Sequence, residues 1–154
     1  MINEPGIYIG IGMVLSLLAT ETLGVTAGGI IVPGYIAIHL DSPSRLMVTF
    51  GISILTFLII KLLSNYILIY GKRRLVLALL LGFLLGYLTR LDNNLISELT
   101  NMDLVVIGNI IPGLIANWMD RQGVLRTTCT IFITASLTKL IILSLIAFNI
   151  LNIN

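Results

Sequence analysis

The fold is decided by the stretch Ile31-Val32-Pro33-Gly34-Tyr35-Ile36-Ala37-Ile38-His39-Leu40-Asp41. A similar stretch occurs later in the chain, as Ile110-Ile111-Pro112-Gly113-Leu114-Ile115-Ala116-Asn117-Trp118-Met119-Asp120. The two stretches lie 79 residues apart, and six of their eleven aligned pairs are identical. Each sets a helix-breaking Pro-Gly pair inside a short apolar segment, 27–40 or 104–119. Irregular backbone at membrane depth must be buried in protein or line a watery cavity. Such segments in matching positions of two halves point to a binding site.

The composition around these segments is that of a membrane protein. Of the 154 residues, 57% are hydrophobic and 10% are charged, with a mean hydropathy of +1.07. A soluble domain has about a quarter of its residues charged, so a water-soluble globule is excluded. The net charge of +2 is too small for a nucleic-acid surface, and we expect no nucleic-acid partner. The length fits a single integral membrane domain, 1–154, with four to six crossings of about 20 residues each.

Long apolar segments predict the membrane-spanning helices. Three of them, near 6–26, 46–70 and 126–150, are each long enough to cross, and 75–91 is just sufficient for a fourth crossing. We therefore predict an all-α polytopic protein of the cell membrane, built as two tandem repeats of helix, short Pro-Gly-broken segment, helix. The repeats cover about 5–70 and about 75–151.

The topology has two alternatives. If the short segments are re-entrant, each half crosses twice and the halves are parallel; if they cross, each half crosses three times and the halves are inverted. Inversion places five cationic residues inside against two outside, which the positive-inside rule favours. They are Lys72, Arg73, Arg74, Arg121 and Arg126, against Arg45 and Arg90. Segment length favours re-entrance.

Three charges fall inside the predicted spans. A lysine in a membrane helix costs about 2.5 to 3.5 kcal/mol, so Lys61 and Lys139 need a partner, a cavity or an interface that their long stems can reach. Their functional interpretation is a pair of cations facing an anionic solute. Glu21 either pairs with one of these lysines or marks a helix end. Tyr35 and Trp118 are typical of aromatic anchors at the headgroup level.

Residues for catalysis do not stand out. His39 is the single histidine and has no ligand set around it, so we assign no metal and no cofactor. Asp92, Glu98 and Asp103 are spread along a polar stretch without an acid–base pairing. The chain has no phosphate-binding loop, so ATP is handled by another chain, if at all. We assign no catalytic residue, and enzymatic activity is left open.

Several short motifs along the chain resemble those of one known family. They are Leu15-Ser16-Leu17, Glu21, Thr22, Gly24, Val32-Pro33-Gly34-Tyr35, Tyr70-Gly71 with Arg73 and Arg74, and Ile111-Pro112-Gly113-Leu114-Ile115-Ala116-Asn117 with Gln122-Gly123. With this pattern the chain is similar to the CapC/PgsC family, the small membrane subunit of poly-γ-glutamate capsule synthesis. The resemblance covers nearly the whole chain, and the Pro-Gly-Leu-Ile-Ala-Asn run is its most specific element.

The resemblance implies partners and a task. It implies a Mur-ligase-like ATP-dependent amide ligase, CapB/PgsB, and an accessory subunit, CapA/PgsA. We expect the chain to scaffold the ligase and to guide the anionic polymer outward, in contact with membrane lipid. The oligomeric state, a homo-oligomer included, is left open. An ordinary small-solute transporter with broken-helix repeats is the alternative, and a subunit that adds side chains to the ligase active site is a third.

Site roles follow as a hypothesis. The predicted polymer path comprises Glu21, Pro33, Gly34, Tyr35, Lys61, Pro112, Gly113, Asn117 and Lys139. The predicted surface for partner docking comprises Lys72, Arg73, Arg74 and Gln122.

Overall fold

The computed structural model describes residues 5–66, 71–100 and 107–148, and their side chains except at 65–66 and 90–100. Over these ranges the chain is all-helical, as the sequence predicts. The helices are α1 (Pro5–Leu23), α2 (Val32–Ile38), α3 (Pro43–Tyr66), α4 (Lys72–Thr100), α5 (Ile111–Gln122) and α6 (Val124–Ala147). The side chains of Arg90, Asp92 and Glu98, and all of Asp103, lie outside the described residues.

Three helices have the length and apolar composition of membrane spans. These are α1, α3 over Pro43–Ser64, and α6, and they coincide with the three long segments predicted from sequence. The predicted fourth crossing at 75–91 is helical, being part of α4, but α4 begins with three cations and is not among the three. Its crossing therefore stays a prediction.

The two Pro-Gly segments form helices that are each shorter than the thickness of a bilayer. With 7 residues in α2 and 12 in α5, they rise about 10 and 18 Å, against a hydrocarbon core of about 30 Å. Pro33 and Pro112 lie in the first turn of these helices, where the missing N–H costs no hydrogen bond. The prolines that the sequence presents as breakers therefore start the helices.

Glycines allow each short helix to cross a long one at backbone contact. A Cβ built on Gly12 of α1 would lie 2.6 Å from the Gly34 Cα in α2. A Cβ on Gly82 of α4 would lie 2.6 Å from the Gly113 Cα in α5. Only glycine at these positions permits the approach, and the two crossings have the same geometry.

Each short helix lies between two long helices. α6 lies against α1 and α2, whereas α3 lies against α4 and α5. α2 is thus held between α1 and α6, and α5 between α4 and α3. Buried apolar side chains fill the space between them, among them Ile36, Ile115, Met119 and Ile131.

Buried hydroxyl groups line the faces of α3 and α6 that meet the short helices. Each hydroxyl donates to the carbonyl four residues earlier in its own helix, so it needs no other acceptor in lipid. Small side chains of this kind let helices approach closely in a membrane. They are Thr49, Ser53 and Thr56 on α3, and Thr127, Thr130, Thr134 and Thr138 on α6.

One of these hydroxyls also holds a loop. The Thr49 Oγ1 accepts a hydrogen bond from the Ile107 N–H at 3.0 Å, and both residues are buried. This bond ties the start of the segment that leads into α5 to the middle of the core.

Candidate functional site

The loop before α2 is clasped onto the end of α5 by one glutamine side chain. The Gln122 Oε1 accepts from the Thr26 N–H at 3.1 Å and from the Thr26 hydroxyl at 3.2 Å. The Gln122 Nε2 donates to the Thr26 carbonyl at 2.5 Å and to the Thr127 hydroxyl at 3.1 Å. Gln122, predicted to dock a partner, therefore has its amide engaged inside the molecule; a docking role for it stays a prediction.

Further along, the same loop passes beneath an indole ring. The Ser16 hydroxyl of α1 donates to the Gly29 carbonyl at 3.2 Å. A Cβ on Gly29 would lie only 3.6 Å from the Trp118 Nε1, so the backbone passes close under Trp118. Trp118, which is half-buried, therefore lies against this loop.

These contacts enclose a cleft of about 380 Å³ between the two broken segments. Its lining includes hydroxyl, amide and guanidinium groups among apolar side chains, and it contains no carboxylate. The lining residues are Ser16, Thr20, Thr26, Gly29, Ile30, Ile31, Leu75, Leu114, Asn117, Trp118 and Arg121. We call this the central cleft.

Arg121 is the cationic group of the central cleft. Its guanidinium carbon lies 5.4 Å from the centre of the Trp118 ring, within cation–π distance. Trp118 and Arg121 are three residues apart and so lie on one face of α5, which places the ring beside the guanidinium. Asn117 is 6% exposed and adds a buried amide to the same wall. The arrangement suits an anionic group that enters at Arg121.

The basic run at the start of α4 lies beside this cleft. The Arg74 Nη2 forms an ion pair with the Asp120 Oδ1 at 2.5 Å, and the adjacent residue, Leu75, lines the cleft. Lys72 and Arg73 are exposed. The predicted docking surface and the mouth of the cleft are therefore neighbours, a proximity that sequence reasoning did not anticipate.

The two membrane lysines lie elsewhere. The Lys139 Nζ pairs with the Asp41 Oδ1 at 2.5 Å, whereas Lys61 is exposed with its Nζ 5.7 Å from the centre of the Phe57 ring. Neither lysine lines the central cleft. Glu21 is exposed near the end of α1, and among the described residues neither lysine forms an ion pair with it.

The remaining predicted path residues divide into two groups. Pro33, Gly34, Pro112 and Gly113 are buried in the helix crossings. Asn117 lines the central cleft, and Tyr35 lines a second, adjoining cavity. Sequence reasoning missed Arg121 as a site residue, although its spacing from Trp118 was a usable signal. A common polymer path through all the predicted residues stays a prediction.

An all-helical fold with three helices of membrane-spanning length, and with two broken segments beside a mainly apolar cleft, has the features of a helical membrane protein. The family model for capsule biosynthesis CapC matches residues 11–128, a range that contains both broken segments and the clasp at Gln122. The chain belongs to this family.

Two relatives support the assignment. The capsule biosynthesis protein CapC of Bacillus anthracis is 34% identical over 133 residues, covering 86% of this chain and 89% of the relative. The PGA biosynthesis protein CapC of Bacillus subtilis (strain 168) is 33% identical over 128 residues, covering 79% and 83%. No solved structure matches the chain.

Proposed function

We propose that the chain is the multi-pass membrane subunit of a poly-γ-glutamate synthase complex in the cell membrane. In this role it holds the ligase at its basic end and guides the anionic polymer across the bilayer. The observation that carries the proposal is the position of the central cleft, whose Arg121 mouth lies next to the exposed basic run. Family membership and the name of the Bacillus subtilis relative, a PGA biosynthesis protein, supply the polymer.

The partners in this proposal are a Mur-ligase-like CapB/PgsB subunit and a CapA/PgsA subunit. Lys72 and Arg73 are exposed at the start of α4 and offer point charges to an acidic surface. A ligase docked there releases its product beside Leu75 and Arg121, so the polymer reaches the cleft without crossing open solvent. ATP chemistry belongs to the ligase.

Poly-γ-glutamate carries one negative charge per residue, and the cationic Arg121 of the central cleft is complementary to this charge. A guanidinium beside an apolar wall attracts a carboxylate more strongly than it does in water. One cation at the mouth is also preferable to many, because a conduit must release what it binds.

We further infer that the two halves are copies of one unit in inverted orientation. The matching crossings at Gly12–Gly34 and Gly82–Gly113, and the exchanged packing of α3 and α6, support the duplication. Contacts of the two short segments support the inversion. Thr26 meets Gln122 while Gly29 meets Trp118, so the chain entering α2 runs antiparallel to α5.

The relative direction of the two long helices α1 and α4 follows from similar contacts. Gly29 lies at Ser16 and Gly34 at Gly12, so the chain entering α2 is antiparallel to α1. Asp120 lies at Arg74 and Gly113 at Gly82, so α5 is antiparallel to α4. We therefore infer that α1 and α4 point in opposite directions. Inversion gathers five cationic residues at the basic end, against two at the other, so the positive-inside rule favours a cytoplasmic basic end.

A test replaces the cleft cation and a matched surface cation. Arg121→Gln removes the charge at the mouth, whereas Arg126→Gln removes an exposed arginine that does not line the cleft. We expect Arg121→Gln to lower surface polymer about tenfold at an equal membrane level of the subunit, the loss of one charge-assisted contact. Arg126→Gln should leave polymer unchanged. Wild-type polymer in the Arg121→Gln strain contradicts the conduit role of the cleft.

The lysines are tested separately. The double substitution Lys61→Ala with Lys139→Ala should reduce surface polymer while leaving the subunit inserted, if both contact the polymer. Unchanged export at normal expression removes that role from both lysines and leaves the cleft proposal intact. Family membership does not favour the small-solute transporter, which would show substrate flux without any ligase.

A further inference from the structure

A second cavity of about 230 Å³ adjoins the central cleft. The two share Ile31 and Leu114 as lining residues. From this shared wall the central cleft extends toward the end of α5, whereas the second cavity extends toward its start. The two spaces therefore lie in series between opposite ends of α5. The second cavity is lined by Ile31, Tyr35, Gly108, Asn109, Ile110, Ile111 and Leu114.

The polar groups of this cavity differ from those of the central cleft. It has no charged residue; its polar side chains are the phenol of Tyr35 and the amide of Asn109. The Asn109 Oδ1 is buried and has no hydrogen-bond partner among the described residues. A buried acceptor without a donor costs about 1–3 kcal/mol, so such a group in a native protein calls for a partner beyond those that the described residues supply.

Asn109 is also an exception within the repeated pattern. Ile30 occupies the aligned position 79 residues earlier. Ile30 is 51% exposed and lines the central cleft, so the repeated sequence pattern itself does not require an amide at 109. The last side-chain torsion of asparagine is broad and roughly two-fold, so rotation about it can turn either the oxygen or the NH₂ group toward the cavity.

We propose that this second cavity is a subsite for the backbone amide of the polymer, with Asn109 as the residue that recognises it. The inference rests on the proposed function and specifies its substrate chemistry. A γ-linked glutamyl unit offers an amide N–H donor to the Asn109 oxygen and an amide carbonyl to the Asn109 NH₂. Its methylene groups suit the walls formed by Ile110, Ile111 and Leu114.

The size of the cavity agrees with one unit of a chain. Sites for free drug-sized ligands measure about 300 to 1,000 Å³, and this cavity of about 230 Å³ is smaller. A carboxylate offers acceptors only, so it cannot satisfy the Asn109 oxygen. The subsite therefore separates a polyamide from other polyanions, a distinction that Arg121 alone does not make.

The experiment compares two anionic probes on the purified full-length chain in nanodiscs. One probe is a γ-linked glutamate hexamer, and the other is a six-carboxylate polyacrylate oligomer, which has no amide groups. We expect the wild-type chain to bind the hexamer about fivefold to tenfold more tightly, the effect of one or two hydrogen bonds. Asn109→Ile, which installs the side chain of the aligned position, should reduce this preference below about twofold and leave polyacrylate binding unchanged.

The other outcomes overturn the proposal at distinct points. A preference that persists in Asn109→Ile, or an equal loss for both probes, refutes the amide subsite while the conduit proposal stands. Equal affinity of the wild-type chain for the two probes also refutes the amide subsite and leaves the conduit proposal standing. If the wild-type chain binds neither probe, the conduit proposal itself fails. Asn109→Ala is measured beside Asn109→Ile, so that poor insertion of one variant does not prevent the comparison.

Discussion

The ion pair between Arg74 and Asp120 should be one of the most sensitive polar contacts in the protein. Their side chains are 25% and 18% exposed, so both charges are largely removed from solvent. The Arg74 Nε has no hydrogen-bond partner among the described residues, which leaves Asp120 as the main compensation for the guanidinium. Asp120→Asn preserves the shape and removes the charge.

The magnitude follows from the degree of burial. Removing one partner of a fully buried pair costs about 3 to 5 kcal/mol, and exposed pairs contribute about 0 to 1 kcal/mol. For a pair that is about four-fifths buried, we expect Asp120→Asn to cost about 2 to 3 kcal/mol. In a chain of this length that lowers the midpoint of thermal unfolding by about 4 to 12 °C.

The chain supplies its own control. Asp41 is the aligned aspartate 79 residues earlier, and it also pairs with a cation, Lys139, but it is 84% exposed. Asp41→Asn should therefore cost less than about 1 kcal/mol. The assay is heating of the full-length protein in detergent, followed by size-exclusion chromatography of the fraction that remains folded.

A double substitution completes the test. Arg74→Gln with Asp120→Asn removes both charges and should recover part of the loss, because no uncompensated charge remains. Equal shifts for Asp120→Asn and Asp41→Asn would refute the reasoning. So would a double variant whose loss equals the sum of the single losses.

Three further predictions use matched positions. Gly12→Ala should lower the free energy of unfolding by about 1 to 3 kcal/mol in the heating assay, because the added Cβ meets the backbone of Gly34. In the control Gly10→Ala the added Cβ meets nothing within 4 Å, so this variant should be neutral or stabilising. Equal effects of the two substitutions would refute the close crossing. Thr49→Val leaves the Ile107 N–H without its acceptor and should lower the free energy of unfolding by about 1 to 3 kcal/mol in the same assay. The control Thr22→Val, at an exposed position, should change it little. In a Cys129→Ser background, Asp41→Cys and Arg126→Cys, which follow the two broken segments, should react with an impermeant thiol reagent from opposite sides of the membrane. Labelling of both from the same side would contradict inversion.

The fold class was predictable because composition and hydrophobic length act locally. The three long segments became α1, α3 and α6, and the two Pro-Gly segments became the short helices. The close crossings of α1 with α2 and of α4 with α5 were not visible in the sequence. They depend on Gly12 and Gly82, which are 70 residues apart rather than 79, and a single shared glycine in apolar sequence carries little signal.

The site was predictable only in part, because its contacts are long-range. Asn117 was named from its motif and lines the central cleft. The hydrogen bonds between Gln122 and Thr26 join residues that are 96 apart in sequence, and no periodic sequence pattern predicts such a pair. Lys139 attracted attention as a bare charge in an apolar helix, whereas the structure gives it Asp41, the last residue of the repeated motif.

The exchanged packing of α3 and α6 also bears on how the protein is made. α2 ends at Ile38 and its cover, α6, begins at Val124. At about 5–20 residues per second, a ribosome needs about 4 to 17 s to synthesise the intervening chain. During that interval the face of the nascent α1–α2 hairpin that α6 later covers is open to lipid or to an insertase, so the packing of α2 is complete only after α6 has been synthesised.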